Sequence, residues 1–174
     1  MKRVLLLCSI TLAAAGLGSP AQAGELFGGL YIHDVKTPLD KSGIENGMDV
    51  MAGYRGGKIL GTPLQAYIFG ALNTAGKTSY AAVGLSAKFG GKVYIRPGLG
   101  LAIHTGSTEN FQDLTNNKID FGSRILFEPE LGVGAQINDH LSLEASWVHM
   151  SHATLFSRQN PGIDNFGVRL NLAL

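Results

Sequence analysis

Beyond residue 23 the chain has no cysteine; the single one, Cys8, lies in the N-terminal segment. Disulfides, thiolate metal sites and thiol catalysis are therefore excluded for everything downstream. No apolar run after that segment reaches the roughly 20 residues that a membrane-spanning helix needs. Charge of one sign is lacking too. Without Lys2 and Arg3, 12 basic residues stand against 13 acidic ones and no basic cluster exists, which argues against nucleic acid as a partner. A helical period with caps is missing throughout. The 24 glycines follow no G-x-y repeat, so collagen is excluded as well.

What is present at the N-terminus is the composition of an export signal. Lys2 and Arg3 precede an apolar stretch from Val4 to Ala15, and Ala21-Gln22-Ala23 forms a small-x-small cleavage site. Leu7, just ahead of Cys8, is too bulky for a lipoprotein cleavage box. Residues 1–23 therefore read as a cleaved signal peptide and residues 24–174 as a single domain.

From Gly24 onward apolar and polar residues alternate, and the alternation restarts about every 15 to 20 residues. The pattern predicts eight strands, over roughly 25–34, 46–55, 62–73, 78–90, 92–105, 121–137, 140–152 and 164–174. Arg55-Gly56-Gly57-Lys58, Gly90-Gly91 and Asn138-Asp139 read as tight turns. The links Val35–Glu45, Gly106–Asp120 and Ala153–Ile163 are long, and that near Asn73–Lys77 is intermediate. Short turns at one end and longer loops at the other predict an all-β fold. The expected architecture is an eight-stranded antiparallel transmembrane β-barrel of the outer membrane, with both termini in the periplasm. The alternative is a soluble eight-stranded barrel of lipocalin type, which would turn its apolar face inward.

In the membrane reading one face of each strand meets lipid. Leu64, Ala66, Ile68, Gly70 and Leu72 supply that face on the third strand, and Phe166, Val168, Leu170, Leu172 and Leu174 on the last. Arg96, Arg124, Glu128, Glu130, Glu144 and Arg169 have the opposite parity and are expected in a side-chain-filled lumen.

The strand over 140–152 ends oddly. Leu141, Leu143, Ala145 and Trp147 form its apolar face, and the same parity continues into His149 and Ser151. Asp164 shares the outward parity of Phe166 and Val168 on the neighbouring strand. At the outer rim a polar group costs only about 0–1 kcal/mol, against about 2–4 kcal/mol for a cation at mid-bilayer. Serine needs a base to take its proton, and histidine is the usual one. A carboxylate on the far imidazole nitrogen would orient that base. By spacing alone, H-x-S is weak; a polar rim that hydrogen-bonds lipid head groups is the more economical reading, with Asp164 a turn residue.

The wider stretch carries more information. His149-Met150-Ser151-His152-Ala153, followed by Asn160-Pro161-Gly162-Ile163-Asp164 and a short final strand, resembles the PagL family of outer-membrane lipid A 3-O-deacylases. The resemblance implies an eight-stranded barrel with a serine esterase site on its lipid-facing side. The implied reaction removes the acyl chain esterified at the 3 position of lipid A, without a metal or organic cofactor. It also implies His149 as base, Ser151 as nucleophile and Asp164 as the acidic third member, which is often a glutamate. Where the family has an oxyanion-binding asparagine this chain has His152, and Thr154 replaces a glycine whose backbone N–H is a suspected donor.

The remaining polar residues have plain readings. His33, His104 and His140 look unclustered and structural, without metal-ligand spacing. Trp147 fits an interface anchor better than a substrate stacker. Arg158 could meet a lipid A phosphate, although a solvated loop cation is the simpler reading. The expected partners are lipid A or lipopolysaccharide as substrate and the outer-membrane lipids. The pattern sets no oligomeric state, and a homodimer is compatible with it. Two other functions fit the same architecture: a non-enzymatic barrel acting as adhesin or envelope stabiliser, and an acyltransferase. The second would keep its site in the lumen, which the parity of His149 and Ser151 disfavours.

Overall fold

Alternation with period two gives each strand two chemically distinct faces, and a closed sheet accommodates both without leaving an edge. The computed structural model describes residues 24–38, 43–110, 113, 115, 117–155 and 160–174. Its strands are β1 (Glu25–Ile32), β2 (Met48–Lys58), β3 (Leu64–Asn73), β4 (Tyr80–Ala87), β5 (Phe89–Gly90), β6 (Val93–His104), β7 (Ile125–Gln136), β8 (Leu141–Met150) and β9 (Ile163–Ala173). The two-residue β5 prolongs β4, and both pair with β6. Nine segments thus make eight antiparallel staves, with β1 pairing β9 to close the barrel.

The links alternate in length as expected. At one end lie 59–63, 91–92 and 137–140; at the other lie 33–47, 74–79, 105–124 and 151–162. The Asn138 side chain accepts the N–H groups of His140 and Leu141, each at 2.9 Å, and so forms the last short turn. One turn differs from expectation. Arg55-Gly56-Gly57-Lys58 belongs to β2, whose register with β3 shifts between Arg55 and Lys58, and the chain turns over the 3₁₀ segment Ile59–Gly61. Two glycines tolerate a bulge as readily as a turn, so the pair alone does not distinguish them.

Exposure decides which face is inside. Ile68 is 51% exposed and Leu72 70%, whereas their strand neighbours Tyr67 and Phe69 are 4% and 2% exposed. The aliphatic face is the outer wall, which excludes the lipocalin-type alternative and fits a barrel solvated by lipid. Arg124 is a further correction: it lies ahead of β7 and donates to the backbone carbonyls of His104 and Gly106 at the outer rim, outside the lumen.

The lumen is filled by a closed ring of charges. Arg96 meets Glu144 at 3.6 Å, Glu144 meets Arg169 at 2.5 Å, Arg169 meets Glu130 at 2.7 Å and Glu130 meets Arg55 at 3.5 Å. Glu25 completes the circuit by pairing with both Arg55 and Arg96. Glu144 and Arg169 face each other directly in the β8–β9 ladder. The lumen-facing glycines make room for these side chains. A Cβ at Gly132 would run into the Glu144 carboxylate, and one at Gly134 into the Tyr94 ring. Phe27 lies under two of the guanidinium groups, 4.7 Å from Arg55 and 5.2 Å from Arg169.

Candidate active site

Strands β8 and β9 bring two of the anticipated residues face to face. His149 and Asp164 are direct partners in the ladder, and the His149 Nδ1 lies 2.9 Å from Asp164 Oδ1. Directly opposed side chains have Cβ atoms about 4.5–5.5 Å apart, a gap an aspartate spans without the extra methylene of glutamate. An ionised carboxylate only accepts hydrogen bonds, so Nδ1 is the donor in this contact and Nε2 is left clear of Asp164. Asp164 is fully buried, while the His149 side chain retains 12% exposure at the wall surface.

Ser151 continues the outward parity of β8 one step nearer the rim. Its backbone is held from the other side: Ser151 N donates to Phe127 O at 3.1 Å, and Phe127 N donates to Ser151 O at 2.7 Å. The Ser151 hydroxyl makes no hydrogen bond to His149 among the described residues. Such contacts are often long before substrate arrives.

The chain then turns sharply. Ala153 and Thr154 both have positive φ, 51° and 60°, and Leu155 N donates to His152 O at 2.9 Å. Two left-handed central residues with this closing bond form a type I′ turn. Both are exposed at the rim. Their N–H groups donate to no partner among the described residues, and a β-branched residue at φ +60° stores strain of the kind found at functional sites. The His152 ring is fully buried on the inward parity of Val148 and Met150, and its backbone N–H donates to Asn160 Oδ1 at 3.0 Å. The anticipated imidazole donor is therefore enclosed in the barrel, while the Thr154 backbone is open at the surface.

Three neighbours of the pair have contacts that residue order does not reveal. Trp147, expected as an interface anchor, donates its Nε1–H to Asp164 Oδ1 at 2.7 Å and lies against His149, with ring centroids 5.9 Å apart at 29°. Thr37, 127 residues away in the chain, donates to Asp164 Oδ2. Gly162, at φ 67°, leaves the imidazole its space: a Cβ there would sit 3.1 Å from His149 Cε1. The parity of Trp147 was legible, but its indole target was not; nothing local marks Thr37.

His33 also departs from expectation, because it is clustered. Its Nδ1 lies 2.9 Å from Asp49 and its Nε2 3.1 Å from Glu45, in the link after β1. Burial disfavours its charge, yet the hydrogen bonds and charges of those two carboxylates win and push the imidazole up to about 9. Glu45 also accepts the N–H groups of Thr78 and Ile119, tying three outer loops together. Among the described residues no group of His, Cys, Asp or Glu side chains is arranged to hold a metal ion. Arg158 lies outside the described residues.

Comparison with known proteins follows the same lines. Among solved structures the chain is similar to the outer-membrane enzyme PagL, at 17% identity and a TM-score of 0.56, covering 86% of this chain and 99% of that one. It is also similar to Neisserial surface protein A (NspA), at 12% identity and 0.58, with 90% and 100% covered. A de novo designed transmembrane β-barrel aligns at 10% identity and 0.54, again covering 90% and 100%. At these identities the structures speak for the fold alone. No curated protein matches the chain. A family model described as "Lipid A 3-O-deacylase (PagL)" matches residues 32–173. That span includes His149, Ser151, Asp164 and nearly the whole outer-membrane barrel, and the chain belongs to the PagL family of lipid A 3-O-deacylases.

Proposed function

We propose that the protein is an outer-membrane serine esterase that hydrolyses the 3-O-linked acyl chain of lipid A, with Ser151, His149 and Asp164 as its catalytic residues. The observation that carries this reading is the 2.9 Å contact between His149 and Asp164 on the lipid-facing wall, with Ser151 next on the same face. A hydroxyl, a base and an acid at the level of the outer-leaflet head groups lie where the ester bonds of lipid A would meet the wall. Residues 1–23 act as the cleaved export signal in this reading.

His149 Nε2 takes the Ser151 proton as Oγ attacks the ester carbonyl carbon. Asp164 holds the Nδ1–H and stabilises the imidazolium that forms. The backbone N–H groups of Ala153 and Thr154, exposed in the turn, donate to the tetrahedral oxyanion; each such donor typically contributes about 10²–10³ in rate. Collapse expels the sugar 3-oxygen, which takes the proton from His149. Water, activated by the same nitrogen, then attacks the acyl-enzyme and releases the fatty acid. No step calls for a cofactor.

The test is the lipid A mass spectrum of cells producing the wild type beside Ser151→Ala. Loss of one ester-linked hydroxyacyl chain with the wild type only is expected. Identical unmodified spectra, with both proteins folded in the outer membrane, would make the non-enzymatic barrel the better reading.

A further inference from the structure

Asp164 is held by more donors than orienting one imidazole requires. Oδ1 accepts both the His149 Nδ1–H at 2.9 Å and the Trp147 Nε1–H at 2.7 Å, and Oδ2 accepts the Thr37 hydroxyl. The backbone is gripped as well. Val35 N donates to Asp164 O at 2.7 Å, and Asp34 N donates to the side chain of the next residue, Asn165, at 2.9 Å. The link after β1 is thereby strapped across the start of β9, and its return is fixed where Asp34 accepts the N–H groups of Ile44 and Glu45 at 2.7 and 2.8 Å.

Resting on the esterase reading above, we propose that Trp147 and Thr37 are positioning residues that hold Asp164 in the one orientation from which it can serve His149. A free carboxylate can turn about its last bond and offer either oxygen in any direction. Here the Thr37 hydroxyl claims one oxygen and the indole claims one side of the other, so the place that is left is the one His149 takes. Both donors also satisfy acceptor oxygens of a fully buried carboxylate at the edge of hydrocarbon, where an unpaired polar group is costly. An interface anchor would turn its indole N–H towards head groups and water. Trp147 turns it into the wall instead. Its ring additionally lies along the imidazole and limits the swing of His149.

The experiment measures kcat and KM for release of the 3-O-linked acyl chain from purified lipopolysaccharide by the full chain in detergent micelles. Trp147→Phe keeps a ring and removes the N–H. Thr37→Val keeps the shape and removes the hydroxyl, and Thr37→Ser puts the hydroxyl back. Mobility on an unheated gel reports the folded fraction, so each kcat refers to folded protein. For Trp147→Phe and for Thr37→Val, kcat is expected to fall about ten- to a hundredfold at nearly constant KM, the factor one hydrogen bond to a charged group supplies. Thr37→Ser is expected to recover most of the loss. In an Asp164→Ala background neither change should lower kcat further, because a residue acting through Asp164 has nothing left to act on. A raised KM at constant kcat, or losses that persist in full in the Asp164→Ala background, would overturn the inference and return Trp147 to the role of anchor or substrate contact. Ser151→Ala in the same assay separates the two claims. If it abolishes release while Trp147→Phe and Thr37→Val leave kcat intact, this inference alone fails; if it is as active as wild type, the esterase reading fails and takes this one with it.

Discussion

Two regions of this barrel bury carboxylates beside cationic or basic side chains, and they do opposite things. In the lumen, Glu25, Glu130 and Glu144 alternate with Arg55, Arg96 and Arg169 in a closed ring. Each acid there faces a guanidinium, a group that does not surrender its proton in proteins. Such a ring sets every charge beside an opposite one, although Arg96 Nε, Glu144 Oε2 and Arg169 Nη2 make no hydrogen bond among the described residues. On the outer wall the partner of the acid is His149, whose second nitrogen has no hydrogen-bond partner among the described residues, and the next residue on that face carries a hydroxyl. In the proposed site reactivity rests on an imidazole nitrogen and a hydroxyl on the lipid-facing wall, since charge burial is common to both regions. The wall matters equally: one set is sealed from lipid by the barrel, and the other looks directly at it.

That contrast can be broken from either side. Ser151→Ala is expected to lower deacylation by about 10³-fold or more, in line with loss of a nucleophile that acts as a unit with its base, while thermal unfolding stays where it was. Glu130→Ala should do the reverse. It strips Arg169 and Arg55 of a shared partner, and an uncompensated buried charge costs about 3–5 kcal/mol. The unfolding temperature on gels should drop, with activity per folded molecule little changed. Equal damage to activity from Glu130→Ala would show that the two regions are not separable.

A smaller effect belongs to the outer loops. His33 binds its proton more tightly folded than unfolded, so its stabilisation is complete below pH 6.5 and disappears as the pH climbs through about 9. At about 1.4 kcal/mol per pH unit the loss is on the order of 3–4 kcal/mol at most. The midpoint of thermal unfolding, followed from pH 6 to 10, should fall over that window in the wild type and stay flatter in His33→Gln.

Gly162→Ala sharpens the site itself. The new Cβ would press on His149 Cε1 and would have to adopt φ 67°. A non-glycine residue in that region costs about 1–2 kcal/mol, and a displaced imidazole should lower kcat by about tenfold or more. Least of all, Thr154→Gly should raise stability by about 1 kcal/mol by relieving its left-handed backbone. It leaves the backbone N–H in place, so deacylation that survives the change assigns the oxyanion contact to the main chain rather than to the threonine side chain.

Much of this molecule was legible from residue order. Period-two alternation named the staves, and the positions of Gly90-Gly91 and Asn138-Asp139 named two of the tight turns. Parity alone put His149 and Ser151 on one wall and Glu144 on the other. It also assigned Asp164 to the outward face, although not its burial. Where the reading went astray, the local signal was ambiguous in kind. A double glycine suits a bulge as well as a turn, and Arg124 has lumenal parity only if its strand reaches back past Ile125, where it in fact begins.

What the chain determined by itself is therefore the set of faces, because a strand's side chains alternate whatever surrounds it. The tertiary structure alone decided three other things. It chose which face met lipid. It set the register that puts Asp164 opposite His149, because a ladder can slide by two residues and keep every face. And it brought in Thr37 and the two acids around His33, because contacts across 127, 12 and 16 residues depend on how loops close over the barrel rim, which no periodicity encodes.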